Sequence, residues 1–120
     1  MPTFIEAPTV IQAPGQPPKR IEEYVGRVNT KTEGISIARM QSPAGWGEPW
    51  QQPEFGEYTV VLDGVLRVEF DPDGIRDLKA GEAVYVAPGE RVRYSSPDAP
   101  AHYVAVCLPA FSLDTVHREE

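Results

Sequence analysis

Apolar and polar positions alternate on both sides of an Asp63-Gly64 pair in the run Glu57-Tyr58-Thr59-Val60-Val61-Leu62-Asp63-Gly64-Val65-Leu66-Arg67-Val68-Glu69-Phe70. Asp-Gly between two alternating runs is a strong hairpin signal, because both central residues of a type I′ turn need positive φ. With these two residues as the loop, Leu62 faces Val65, Val61 faces Leu66 and Glu57 faces Phe70. Side chains alternate between faces along a strand, so Glu57, Thr59, Val61, Leu66, Val68 and Phe70 share one face, predicted to be the inside. Tyr58, Val60, Leu62 and Val65 then form an outer face too apolar for water unless another sheet or subunit covers it.

The same period-2 reading predicts strands over Glu33–Met40, Ile75–Leu78, Glu82–Ala87, Arg91–Ser95 and His102–Leu108. Turns at Asp71-Pro72-Asp73-Gly74, Ala80-Gly81, Pro88-Gly89 and 97–100 separate the later ones. Residues 19–28 are open between a short helix and a strand, since Ile21, Tyr24, Val25 and Val28 also fit a helical face. Residues 41–56 form a Pro- and Gly-containing loop carrying Trp46, Trp50, Gln51 and Gln52. Residues 1–18 hold five of the thirteen prolines (Pro2, Pro8, Pro14, Pro17, Pro18), which suits an extended edge segment or disorder and excludes a central strand. Many short strands without a long helix indicate an all-β sandwich or barrel. The expected organisation is one domain: an edge segment over 1–32, a barrel over 33–109 and a tail over 110–120. In the tail, Phe111, Leu113 and Val116 either fold back over the barrel, bringing His117 to its mouth, or fray with the acidic end up to Glu120.

A chain of 120 residues can bury a continuous core without disulfides. The single Cys107 lies in an apolar run and reads as a small buried hydrophobe, which fits a reducing, cytoplasmic setting. The net charge of −7, with no basic cluster beyond Lys19-Arg20, argues against a nucleic-acid partner. No apolar run approaches the roughly 20 residues of a membrane span, and no signal peptide is apparent.

Two segments resemble the motifs of the cupin superfamily. Glu57, six residues and Gly64 match the end of its first motif, and Gly81-Glu82-Ala83-Val84-Tyr85-Val86-Ala87-Pro88-Gly89 matches its second. The resemblance covers roughly residues 33–109 and implies a small RmlC-like jelly-roll barrel, commonly a homodimer, with an internal pocket. Within the superfamily, the segments Tyr58 to Gly64, Ala80-Gly81-Glu82, Pro88-Gly89 and Tyr103-Val104-Ala105 resemble the ethanolamine-utilisation Q-type group. The departures concern metal binding. Trp50 and Gln52 stand where the first motif places two histidines, and Val92 stands where the second places its histidine. His102 and His117 lie outside the motif positions. Since a transition-metal site needs three or four donors in fixed geometry, no metal or other cofactor is expected.

Motif position and strand parity place Trp50, Gln52, Glu57, Thr59, Val92 and Tyr94 toward the barrel interior. A carboxylate there has its pKa raised by desolvation, which suits proton transfer near neutrality, although a rim position for Glu57 fits the same pattern. The expected function is a metal-independent barrel that binds a small sugar-like or acid-like molecule, with Trp50, Gln52, Thr59, Tyr94 and Arg39 as ligand contacts. Two alternatives are an isomerase, epimerase or lyase using Glu57 as general acid or base, with Tyr94, Arg39 or Gln52 stabilising an oxyanion, and a metal-dependent enzyme with atypical ligands. A homodimer formed partly by the outer hairpin face and the N-terminal segment is expected with either.

Overall fold

The computed structural model describes residues 1–13 and 17–119; Pro14 and Glu120 lie outside the described residues. Nine strands account for its regular structure: β1 Thr9–Ala13, β2 Lys19–Val25, β3 Ser36–Ser42, β4 Trp46–Gly47, β5 Gly56–Phe70, β6 Gly74–Lys79, β7 Ala83–Val86, β8 Val92–Ser96 and β9 Ala101–Leu108. No helix occurs among the described residues, so none is long and apolar enough to cross a membrane. All pairings are antiparallel. One sheet runs β1-β2-β3-β9-β5-β7, and the other joins β6 and β8 to β5 with β4 beyond β8. The result is a jelly-roll β fold.

The predicted hairpin at Asp63-Gly64 is not formed. The segment is one strand of 15 residues that leaves the first sheet and enters the second. Its first half pairs with β7 and β9, and its second half with β6 and β8. Gly64 has φ 76°, but Asp63 is not among the positive-φ residues, so the I′ condition fails. A register shift between Val61 and Asp63 marks a bulge at the barrel corner instead. The bulge flips side-chain parity as the hairpin loop would have done, so Thr59, Val61, Leu66 and Val68 do face inward. Phe70, assigned to the same face, is 44% exposed at the strand's end.

Residues 19–28 resolve in favour of a strand over Lys19–Val25, because β3 offers it a complete hydrogen-bonding edge. β1 then pairs with β2 and closes that side of the sheet. Between the sheets lies a core of Trp46, Val61, Leu66, Val68, Leu78, Val86, Val92, Tyr94, Ala101 and Tyr103. A smaller cluster of Phe55, Cys107 and Val116, with Phe111 against it, sits under the tail.

Candidate functional site

Inside the first sheet is a cavity of about 70 Å³, lined by Lys19, Glu48, Glu57, Thr59, Tyr94 and Cys107 among others. Strand parity explains the set. Lys19 is on β2, Glu57 and Thr59 on β5, Tyr94 on β8, Tyr103 and Cys107 on β9, and all take inward positions. Glu48 enters from the segment just after β4.

The Tyr94 hydroxyl donates to Glu57 Oε1 at 3.0 Å, and the Cys107 thiol donates to Oε2 at 3.5 Å. Glu57 keeps some accessible surface because it borders the cavity, yet protein surrounds it. Burial raises its pKa and repulsion from Glu48 adds to this, while Lys19, Tyr94 and Cys107 partly offset the rise. Burial likewise raises Glu48 against the attraction of Lys19 and Arg118. For Lys19, burial acts to lower the pKa, but Tyr103, Glu48 and Glu57 together outweigh it and the net shift is upward. Its ammonium donates to the Tyr103 hydroxyl at 3.4 Å and lies 4.5 Å from the Trp46 ring centroid. The Tyr103 hydroxyl also shares a 2.8 Å hydrogen bond with Ser42 Oγ. Desolvation drives the Tyr94 and Cys107 pKa values up, Glu57 reinforces both, and the thiol is thereby kept protonated and unreactive.

Glu57, Thr59 and Tyr94 are therefore brought together as the sequence predicts. Trp50, Gln52 and Arg39 are not. Trp50 lies outside under two guanidinium groups, Arg91 at 4.1 Å and Arg93 at 4.8 Å from its ring centroid. Gln52 is exposed and donates through Nε2 to the Gly89 carbonyl at 2.9 Å. Both residues fall between β4 and β5, where strand parity does not operate. Arg39 points away from the inward-facing Ala38 and Met40, and its Nε donates to Glu22 Oε1 at 2.6 Å. Val92 is core, paired across an isolated bridge with Gln51. His102 points outward, and His117 is on the tail beside Glu54. Among the described residues no three His, Cys, Asp or Glu side chains form a group that could hold a metal ion.

Sequence reading missed Lys19, Glu48 and Tyr103. The alternation of Lys19, Ile21 and Glu23 was the available signal for the first, since all three line the cavity. Glu48 carries no local signal at all.

A two-sheet jelly roll with its polar cluster inside the barrel defines the cupin fold. Solved structures with this architecture include a putative ethanolamine-utilisation Q protein from Salmonella typhimurium LT2 (TM-score 0.67, 17% identity, 87% of this chain and 97% of that one). An RmlC-like cupin from Shewanella frigidimarina aligns at TM-score 0.73 and 17% identity over 90% of this chain and 89% of that one. Oxalate decarboxylase of Bacillus subtilis aligns at TM-score 0.76 and 16% identity, over 98% of this chain and 33% of that one. No protein-family model matches the chain. A curated relative from Myxococcus xanthus (strain DK1622), named Endoribonuclease YbeY, is 45% identical over 103 residues. The match covers 84% of this chain and 34% of the relative, so the chain spans about a third of that protein's length.

This relative overturns the expected function. A barrel devoted to a small organic molecule, whether as metal-independent binder, as Glu57-dependent isomerase, epimerase or lyase, or as atypical metalloenzyme, does not agree with a relative named as an endoribonuclease. The cavity is also well below the roughly 300–1,000 Å³ of pockets that hold drug-sized ligands. The exclusion of nucleic acid falls with it. It rested on the net charge of −7, which limits the phosphate affinity of this chain alone but says nothing about the larger protein in which such a unit works.

Proposed function

We propose that this chain works in RNA processing, as a cupin-fold unit that acts beside an endoribonuclease unit, in a cytoplasmic setting. The observation that carries the reading is 45% identity to a relative named as an endoribonuclease, confined to 34% of that relative's length. The geometry favours an accessory part over a hydrolytic one. With residues 112–119 in place, Glu48 and Glu57 are enclosed in a cavity of about 70 Å³, too small to admit a nucleotide. Trp50, half-exposed under Arg91 and Arg93, has the chemistry on which a single-stranded base stacks. Both arginines are already paired, Arg91 with Asp71 and Glu119 and Arg93 with Glu69, so phosphate contacts fall to the nuclease unit.

The test is RNA cleavage by the remaining two-thirds of the Myxococcus relative, with and without this chain added. We expect the chain alone to leave RNA intact, and its addition to change cleavage rate or substrate choice severalfold, with the change reduced in Trp50→Ala. Unchanged cleavage at tens of micromolar chain would sink the reading. Cleavage by the chain alone, abolished in Glu57→Gln, would replace the accessory role with a catalytic one.

The same reading includes self-association through the outer face of the first sheet. Tyr58, Val60, Leu62 and Tyr85 are 49%, 42%, 49% and 51% exposed, Tyr58 and Tyr85 stack at 4.5 Å, and Val104 and Val106 lie beside them on β9. These side chains carry no charge, on a chain with a net charge of −7, which makes the face the place where two copies meet with least repulsion. Light scattering after size exclusion is expected to give the dimer mass at tens of micromolar and the monomer mass for Val60→Asp. Parent protein at monomer mass contradicts the second copy.

A further inference from the structure

We propose that residues 112–119 are a displaceable strap that closes the barrel cavity and is latched at Arg91. The chain is anchored just before the strap, where the Ala110 amide donates to the Glu33 carbonyl and the Phe111 amide to Ser36 Oγ. After a single turn at Ser112, the strap crosses the mouth of the barrel alongside residues 50–54. Its backbone accepts from Glu54 N at Thr115 O and from Gln52 N at His117 O, and its Glu119 amide donates to Trp50 O at 2.7 Å. The latch is bidentate: Arg91 Nε and Nη2 donate to the two Glu119 carboxylate oxygens at 2.6 and 2.8 Å. His117 meets Glu54 nearby.

The strap forms part of the cavity's wall. Arg118 lines the cavity, and Val116 packs with Phe55 and Cys107 in the small cluster that is separate from the main core. Lifting the strap therefore uncovers Cys107 and the cavity without opening the main core between the sheets.

The balance of forces favours a segment that opens. The side chains that hold it are partly exposed, so opening exchanges their contacts for hydrogen bonds to water. Only Val116 is deeply buried among residues 112–119. Two features resist closure. His117 sits at φ 51°, in the left-handed region that a non-glycine residue adopts at a cost, and the buried Arg118 Nε has no hydrogen-bond partner among the described residues. Opening releases both. The strap thus provides a closed state, with the acid and lysine cluster sealed, and an open state in which that cluster meets solvent.

Cys107 is a built-in reporter, being the chain's single cysteine and lying beneath Val116. Its labelling by a small methanethiosulfonate reagent, without urea and far below the unfolding midpoint of either protein, is expected to be at least tenfold faster in the Glu54→Gln, Glu119→Gln double variant than in the parent. Equal rates, or labelling in both proteins that rises with urea in step with global unfolding, would overturn the strap. Hydrogen exchange on the unmodified chain gives an independent readout. The Gln52, Glu54 and Glu119 amides should exchange by a urea-insensitive opening, ahead of the β5 and β9 amides. Exchange of all of them only through global unfolding would refute the proposal.

Discussion

Gly64→Ala is expected to destabilise the protein by roughly 3–5 kcal/mol, lowering the melting temperature by more than about 10 °C. Two effects add. The backbone at Gly64 has φ 76°, which costs any L side chain, and a Cβ built there would lie 2.0 Å from the Pro100 carbonyl oxygen and 3.1 Å from Ala101 Cα. Those atoms are backbone in the turn leading into β9, whose ladder with β5 ends at the Gly64–Ala101 pair itself, so they cannot step aside cheaply. Gly64→Asn separates this account from a hairpin. In a two-residue I′ loop, asparagine is well tolerated. At a barrel corner the Cβ clash remains, so Asn should cost nearly as much as Ala, as thermal or urea unfolding of the two variants would show. A loss under about 1 kcal/mol in Gly64→Asn would mean that the corner relaxes.

Lys19→Met should cost about 3 kcal/mol near pH 8, and distinctly less near pH 5. Methionine fills similar volume, so the loss is electrostatic. It removes the ammonium that both Glu48 and Glu57 face, leaving two carboxyls in a dry cavity with Arg118 as the remaining cation near Glu48. The sign follows from linkage. Both carboxyls have folded-state pKa values above the unfolded 4.5, so each contributes stability that is full below 4.5 and is lost as pH rises through its folded value. Removing the cation raises those folded values further and extends the loss upward in pH, so the gap between parent and variant widens as pH increases. The raised pKa of Lys19 keeps its charge in place throughout this range. Adding Glu57→Gln to Lys19→Met should recover most of the stability, because one buried charge then disappears. Urea unfolding at a series of pH values gives both results. A pH-independent loss below about 0.5 kcal/mol would mean that Lys19 reaches solvent.

The strands from β6 to β9 were legible within a residue or two, because alternation and Pro or Gly punctuation are local properties that act on a few neighbouring residues. The inward placement of Glu57, Thr59 and Tyr94 was legible for the same reason: parity is carried along a strand once one face is apolar. The topology of β5 was not. Asp63-Gly64 has the composition of a turn, and only the competing edges of β7, β8 and β9 decide that the strand runs through it. Lys19, Glu48 and Tyr103 come from β2, the segment after β4 and β9, and meet because the sheet folds over on itself. The outward position of Trp50 and Gln52 was equally out of reach, since a loop residue has no periodicity to fix its side. Local pattern therefore determined the later strands and the inward side of Glu57. Tertiary wrapping decided which charges that acid must share a dry cavity with, because burial and Coulomb terms depend on distances between segments far apart in the chain.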